Sequence, residues 1–335
     1  MKTLSIYFFV SILGSPETSA DELSNFNITS IGLEKRYEDF DSLETKKFEQ
    51  NKENVLKKWD EIAVSSNKVL VKLYDNNNIR LIVDYENGEV NLEAIGKNKI
   101  EIRTLLNELI SDKGIYDSIL SLEELENEKL TKAEYLNNLM NKIKVDKSDS
   151  DIGKRSNVNF SMISGHIKIR AKRYVHIVKK WAHLNNTEPE LVMAMIRQES
   201  AFNPRAESHI PAYGLMQIVP KYAGQDVLRQ LNGRDERPTR NSLFDPEINV
   251  MFGTSYIKIL SEKFRGLTVD KSQLEHLVVA SYNWGPDRIL KAIKSKKINL
   301  NNPDLYEQIR KIAPEETKEY LKKVRGYKKE FAFKE

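Results

Sequence analysis

The chain predicts an α+β protein in which a nearly all-helical region, from about residue 166 to the C-terminus, follows a smaller α+β region with a short antiparallel sheet. Three observations carry this. At 335 residues the chain exceeds one typical hydrophobic core, so two domains are expected. Apolar residues recur at helical spacing in the later part, as in Tyr174, Ile177, Val178 and Trp181, and again in Leu274, Leu277, Val278 and Ser281. The earlier part instead holds three short β-rich runs at 69–74, 79–85 and 90–95. Asn87-Gly88 between the last two is a strong two-residue hairpin signal.

Read in order, the elements divide into three parts. Met1-Lys2, an apolar stretch over 4–13 and small or polar residues to Ala20 form an export-signal pattern over residues 1–20, too short to span a bilayer. Residues 21–165 make the accessory region: a polar, charged helix over 33–62, the three strands, helical spacing over 100–110 and 130–143, and a turn-rich loop over 147–156. A strand-like run over 158–169 straddles the boundary, and residues 166–335 form the helical part. There is no cysteine, hence no disulfide and no thiol nucleophile or ligand. The five histidines show no His-Glu-x-x-His spacing, and no glycine-rich phosphate loop occurs; no metal or cofactor is expected. With 53 basic against 49 acidic residues, no field large enough to gather nucleic acid arises. The cations Lys322, Lys323, Arg325, Lys328 and Lys329 read by default as a solvated surface.

Chemistry enters at Glu199, which closes the apolar run Leu-Val-Met-Ala-Met-Ile-Arg-Gln-Glu-Ser over 191–200. One turn past Met195 and Ile196, it falls on a face that otherwise wants a core. A carboxyl in apolar surroundings has its charged form disfavoured, so its pKa rises and it carries a proton near neutral pH, as glycosidic bond cleavage requires. The plain alternative is a glutamate that reaches water at a helix end. Asn203-Pro204 stops the helix soon after the carboxyl, which places it at a wall instead of mid-helix.

Three blocks follow. The first is Glu199-Ser200-Ala-Phe202-Asn-Pro204, then Ala206, Ser208 and Gly214-Leu215-Met216-Gln217. The second is Ser281-Tyr282-Asn283-Trp284-Gly285, and the third Glu315-Glu316-Thr317-Lys318-Glu319-Tyr320. Gly214 permits close backbone approach, Met216 offers either a soft apolar contact for a sugar or plain core filling, and Gln217 offers a bidentate amide. Trp284 suits either a pyranose ring or the edge of the core. Together the blocks resemble the signature of the family 23 lytic transglycosylases, and within it the membrane-bound lytic murein transglycosylase C type. Ser281 stands where that family has Ala, and Lys318 where it has Arg. The likeness is strong over roughly 175–325 and weak over 45–165.

The resemblance implies a lysozyme-like catalytic domain of the goose type, with Glu199 as the catalytic residue. It further implies that Ser200, Ser208, Gly214, Met216, Gln217, Tyr282, Asn283, Trp284, Glu316 and Tyr320 bind substrate or orient the site, Ser208 by bonding the carboxyl. The substrate implied is the glycan strand of peptidoglycan, cut by exo- or endotransglycosylation between N-acetylmuramic acid and N-acetylglucosamine. Glu199 acts as acid and then base, the muramic C6 hydroxyl closes on C1, and a 1,6-anhydro end results. One carboxyl suffices, and the other acids offer no obvious second: Asp245-Pro246 reads as a helix start, with Ile248, Phe252, Tyr256 and Ile259 as that helix's stripe. Competing readings are a goose-lysozyme-like muramidase that uses water, and a non-catalytic wall-binding scaffold. The resemblance also implies a periplasmic or outer-membrane address and an envelope protein partner for the accessory region. Such enzymes often carry a lipoprotein Cys after the leader; here Ser15 follows Ile12-Leu13-Gly14.

Overall fold

The computed structural model describes residues 33–34, 65–96, 145–150, 153–162 and 165–332 except 209, 269 and 301, with isolated positions at 56, 58, 59, 63, 101 and 104. The export segment, the expected helix over 130–143 and most of those over 33–62 and 100–110 lie outside the described residues. The first two positions of the 33–62 run are not helical: β1 (Leu33–Glu34) pairs antiparallel with β7 (Arg237–Pro238).

The other strands form one antiparallel sheet in the order β2-β3-β4-β6-β5: β2 (Val69–Tyr74), β3 (Ile79–Asp84), β4 (Glu89–Ile95), β5 (Val145–Ser150) and β6 (Gly153–Ser161). The period of two is visible in its register, where Leu81 faces Leu92, Val83 faces Val90, and Leu92 faces Val158, all buried. The opposite face is polar and pairs Arg80 with Glu93 at 2.5 Å. Asn87-Gly88 makes the β3–β4 turn as expected, with Gly88 at φ 70°. Of the polar stretch over 147–156, where a loop is expected, 147–150 and 153–156 are strand and pair in the β5–β6 hairpin. Lys147 and Asp149 lie on an edge strand, where backbone pairing to β6 suffices without an apolar face. The 158–169 run divides: β6 ends at Ser161, and Ile167 to Ile169 belong to the first helix.

The rest is helical: α1 (His166–Lys172), α2 (Val175–Leu184), α3 (Pro189–Ser200), a π-turn (Pro220–Gly224), α4 (Gln225–Asn232), α5 (Arg240–Leu243), α6 (Pro246–Arg265), α7 (Lys271–Trp284), α8 (Pro286–Lys296), α9 (Leu305–Ile312) and α10 (Glu315–Glu330). The α+β class expected from the sequence is therefore the one observed. Pro189 opens α3 at a position whose N–H has no helical partner anyway. Leu191 through Ile196 are then all buried, so α3 is apolar on every side and sits inside the bundle. At about 1.5–3 kcal/mol per buried large side chain, those six residues fix the helix firmly. Its neighbours are α2, α10 and α1. The long α6 starts as predicted: Asp245 Oδ1 accepts from Ile248 N at 2.9 Å and Pro246 follows. Of its expected stripe, Phe252 and Tyr256 are buried, while Ile248 and Ile259 pack partly buried against the core.

Candidate active site

Glu199 occupies the last full turn of α3. After Ser200 the backbone turns left-handed at Ala201 (φ 49°) and Phe202 (φ 62°), so the helix ends before the Asn203-Pro204 stop is reached. Phe202 is wholly buried, between the rings of Tyr174 (centroids 6.3 Å apart) and Phe331 (5.7 Å); this packing holds a strained conformation that a bulky residue otherwise avoids. The half-buried Glu199 carboxyl therefore stands at a fixed helix end, and Tyr320 of α10 donates its hydroxyl to Oε1 at 2.6 Å.

Burial is the largest influence on this carboxyl and pushes its pKa up to about 7; the Tyr320 bond and the Lys68 ammonium pull the other way, and the Glu316 charge adds to the rise. Burial likewise raises the Tyr320 and Tyr282 phenols well above their ordinary value, and the Glu199 charge adds to both shifts. Both tyrosines thus stay neutral donors. Tyr282 gives its proton to Met216 O at 2.8 Å, and its ring meets Tyr256 edge-on at 5.6 Å.

The remaining expected residues divide by position. Asn283 and Glu316 join: Asn283 Nδ2 donates to Glu316 Oε1 at 3.3 Å, and Thr317 Oγ1 donates to Asn283 Oδ1 at 2.7 Å, tying the end of α7 to the start of α10. Trp284 packs partly buried against the core. Ser200 is wholly buried, its hydroxyl on Ile196 O (3.1 Å) and Leu215 O (2.8 Å), so it fastens the Gly-Leu-Met-Gln loop to α3. Gln217, at φ 49°, donates from Nε2 to Gly214 O (3.0 Å) and Ala206 O (3.2 Å); its Oε1 is buried and takes no hydrogen bond from the described residues.

Three of these residues make contacts that the sequence left open or placed elsewhere. Ser208 donates to Ile210 O, not to the Glu199 carboxyl, whose partner is Tyr320. Met216 is fully buried, and a Cβ placed on Gly253 would come within 2.1 Å of its sulfur, so of its two readings the structure shows core filling. Packing alone already requires a glycine at 214. At φ 76° a Cβ there would meet Asn249 Nδ2 at 2.2 Å and Leu243 O at 2.3 Å. Those contacts reveal a residue the motif reading missed. Asn249, wholly buried, accepts from Met216 N and donates to Tyr213 O and Leu243 O, each at 2.8 Å. An Asn between Ile248 and Val250 in an apolar helix was the signal available for it.

The other acids sit in different pairings. Asp226 and Asp235 flank Arg229, Glu207 pairs with Arg240, Glu236 lies 3.7 Å from Arg234, and Asp245 caps α6. Of the expected basic tail, Lys328 bridges Glu188 and Glu275, each at 2.6 Å, and Arg325 lies over the Tyr306 ring at 4.7 Å.

Residues 176–304 match the family described as the transglycosylase SLT domain. The chain is 28% identical over 357 aligned residues to the membrane-bound lytic murein transglycosylase C of Actinobacillus pleuropneumoniae serotype 5b (strain L20), covering 96% of each chain. It is 35% identical over 182 residues to the protein of the same name from Yersinia pestis (strain Pestoides F), covering 52% of this chain and 51% of that one. Among solved structures it is similar to the 70 kDa soluble lytic transglycosylase of Escherichia coli, with 27% identity and a TM-score of 0.40, over 49% of this chain and 25% of that larger one. Glu199, Gln217 and Tyr282 all lie within residues 176–304, the span that matches the transglycosylase SLT domain family.

Proposed function

We propose that this protein is a lytic transglycosylase that cleaves the β-1,4 bond between N-acetylmuramic acid and N-acetylglucosamine in peptidoglycan, with Glu199 as acid and then base. The observation that carries the reading is the carboxyl of Glu199, raised to a pKa of about 7 by burial and held by Tyr320 at 2.6 Å. A group poised there is protonated often enough to donate and ionised often enough to accept.

Protonated Glu199 gives its hydrogen to the bridging oxygen as the C1–O bond breaks, the electron pair leaving with N-acetylglucosamine. Positive charge builds on the muramic C1. The hydroxyl proton of Tyr282 is committed to Met216 O, which leaves that oxygen's lone pairs to favour the charge. Glu199, now ionised, takes the proton of the C6 hydroxyl, and O6 bonds to C1. The 1,6-anhydro ring closes, no water is consumed and the carboxyl ends as it began. A single-carboxyl route fits the pairings of the other acids. The Asn283 amide, after its bond to Glu316, has a second N–H that supplies a donor site for an N-acetyl group.

Among the described residues, Glu316 is a further carboxylate whose charge acts on Glu199, and it favours the rival reading of a muramidase in which it activates a water. Mass analysis of digested peptidoglycan separates the two. Anhydro ends, lighter by one water than reducing ends, are expected; reducing ends throughout would replace the proposal with hydrolysis. The relatives are named membrane-bound, and no helix among the described residues is long and apolar enough to cross a membrane. We place the protein in the cell envelope, exported by residues 1–20, with its glycan strands as partner.

A further inference from the structure

A helix leaves its last four carbonyls without helical partners, and each needs a donor when the end is buried. In α3 those carbonyls belong to the turn that carries Glu199. Ala201 N takes Arg197 O at 3.1 Å, and Asn203 N takes Ser200 O at 2.9 Å. Since Ala201 and Phe202 turn left-handed, the next donors come from elsewhere. Asn67, two residues before the start of the edge strand β2, donates from Nδ2 to the Glu199 carbonyl at 2.7 Å. Arg170 of α1, itself buried, donates from Nε (3.3 Å) and Nη2 (3.2 Å) to the Ala201 carbonyl, and from Nη2 to Tyr85 O in the β3–β4 turn at 2.5 Å. The sheet is seated there by a second close approach: a Cβ on Gly88 would lie 2.6 Å from His166 Nε2.

We propose that Asn67 is a positioning residue for the reaction, through which the sheet caps the carbonyl end of the helix bearing Glu199 and fixes where its carboxyl stands. The inference rests on the reading of Glu199 as proton carrier. It gives the sheet a task inside the active site, although Asn67 has no reason to touch the reacting atoms. The bond spans 132 residues of sequence, so its effect is felt only when the two regions are docked. The mechanism is geometric: without the cap, the terminal turn of α3 exchanges its carbonyl partner for water and the carboxyl moves relative to Tyr320 and the bound sugar. A displacement of about 1 Å in a reacting group costs on the order of a hundredfold in rate.

The test uses the full chain with Asn67→Ala, which deletes the donor, and Asn67→Asp, which keeps the shape but turns an acceptor toward the carbonyl. Rates on purified peptidoglycan are measured beside thermal unfolding, with Glu199→Gln in parallel. We expect kcat to fall at least tenfold in both variants, with KM within about twofold of the parent and the melting temperature little changed. Unchanged kcat overturns the proposal. So does a raised KM at constant kcat, which would make Asn67 a glycan contact, and so does a loss that tracks the unfolded fraction. If Glu199→Gln is itself active, the reading of Glu199 has failed; if it is dead while Asn67→Ala is fully active, only the role of Asn67 has.

Discussion

Tyr320 and Glu199 lie 121 residues apart in sequence, and their side chains meet at 2.6 Å, the phenol donating to the carboxyl across the α3–α10 contact. The pair sets the protonation state of the site. Burial raises the carboxyl, and the tyrosine holds part of that rise in check.

Removing the check moves the pH profile in a definite direction. A general acid must be protonated, so kcat/KM falls as pH rises through about 7. Tyr320→Phe deletes the bond that favours the ionised form, so the falling limb should move to higher pH by about one unit, for a lost bond of about 1.5 kcal/mol. Loss of orientation should also lower the plateau by about tenfold. A pH series of initial rates measures both; a limb at lower pH would reverse the assigned role of Tyr320.

Glu199→Gln should abolish turnover while leaving glycan binding intact, which sedimentation with insoluble peptidoglycan measures directly. Retained cleavage would remove Glu199 from the chemistry.

The same substitution predicts a gain in stability. The folded pKa of Glu199 is raised from 4.5 to about 7, so the folded state holds the proton longer than the unfolded one. Its contribution to stability is fully present below pH 4.5 and is lost as pH rises through 7. At pH 8 the ionised carboxyl therefore opposes folding by up to about 3 kcal/mol. Glu199→Gln should melt a few degrees higher than the parent at pH 8, with the difference closing near pH 4.5. Equal melting temperatures across that range would show a hydrated carboxyl.

Asn249→Ala should be among the most damaging changes in the helical region. It takes the Asn249 partner from the buried Met216 N–H and from the Leu243 carbonyl, at about 1–3 kcal/mol each, while the Tyr213 carbonyl keeps Ile218 N as donor. We expect a loss of at least about 2 kcal/mol in denaturant unfolding, and reduced activity in the folded fraction because Tyr282 bonds Met216 O.

Gly214→Ala tests why that glycine is present. With a left-handed backbone and a Cβ driven against Leu243 O, it should destabilise by about 2 kcal/mol or more whether or not glycan is bound. Normal stability with weakened binding would instead restore ligand approach as the reason.

How much was legible in advance follows from the range of each signal. The strands at 69–74 and 79–84, the Asn87-Gly88 turn, the Asp245-Pro246 helix start and the apolar run ending at Glu199 are local patterns, readable because periodicity and capping act within a few residues. The β5–β6 hairpin was not, since its polar edge strand is specified by the partner beside it and not by its own composition.

The sequence by itself determined that Glu199 closes a buried helix, and the family resemblance carried by its motifs named Tyr320, Tyr282 and Glu316, which act on it or feel its charge. Only the tertiary structure decided that Tyr320 and not Ser208 holds the carboxyl, that Met216 belongs to the core, and that Asn67 caps the Glu199 turn. The reason is physical: a side chain's dehydration and its hydrogen-bond partner depend on whichever distant segments pack over it, and no local spacing encodes which they are.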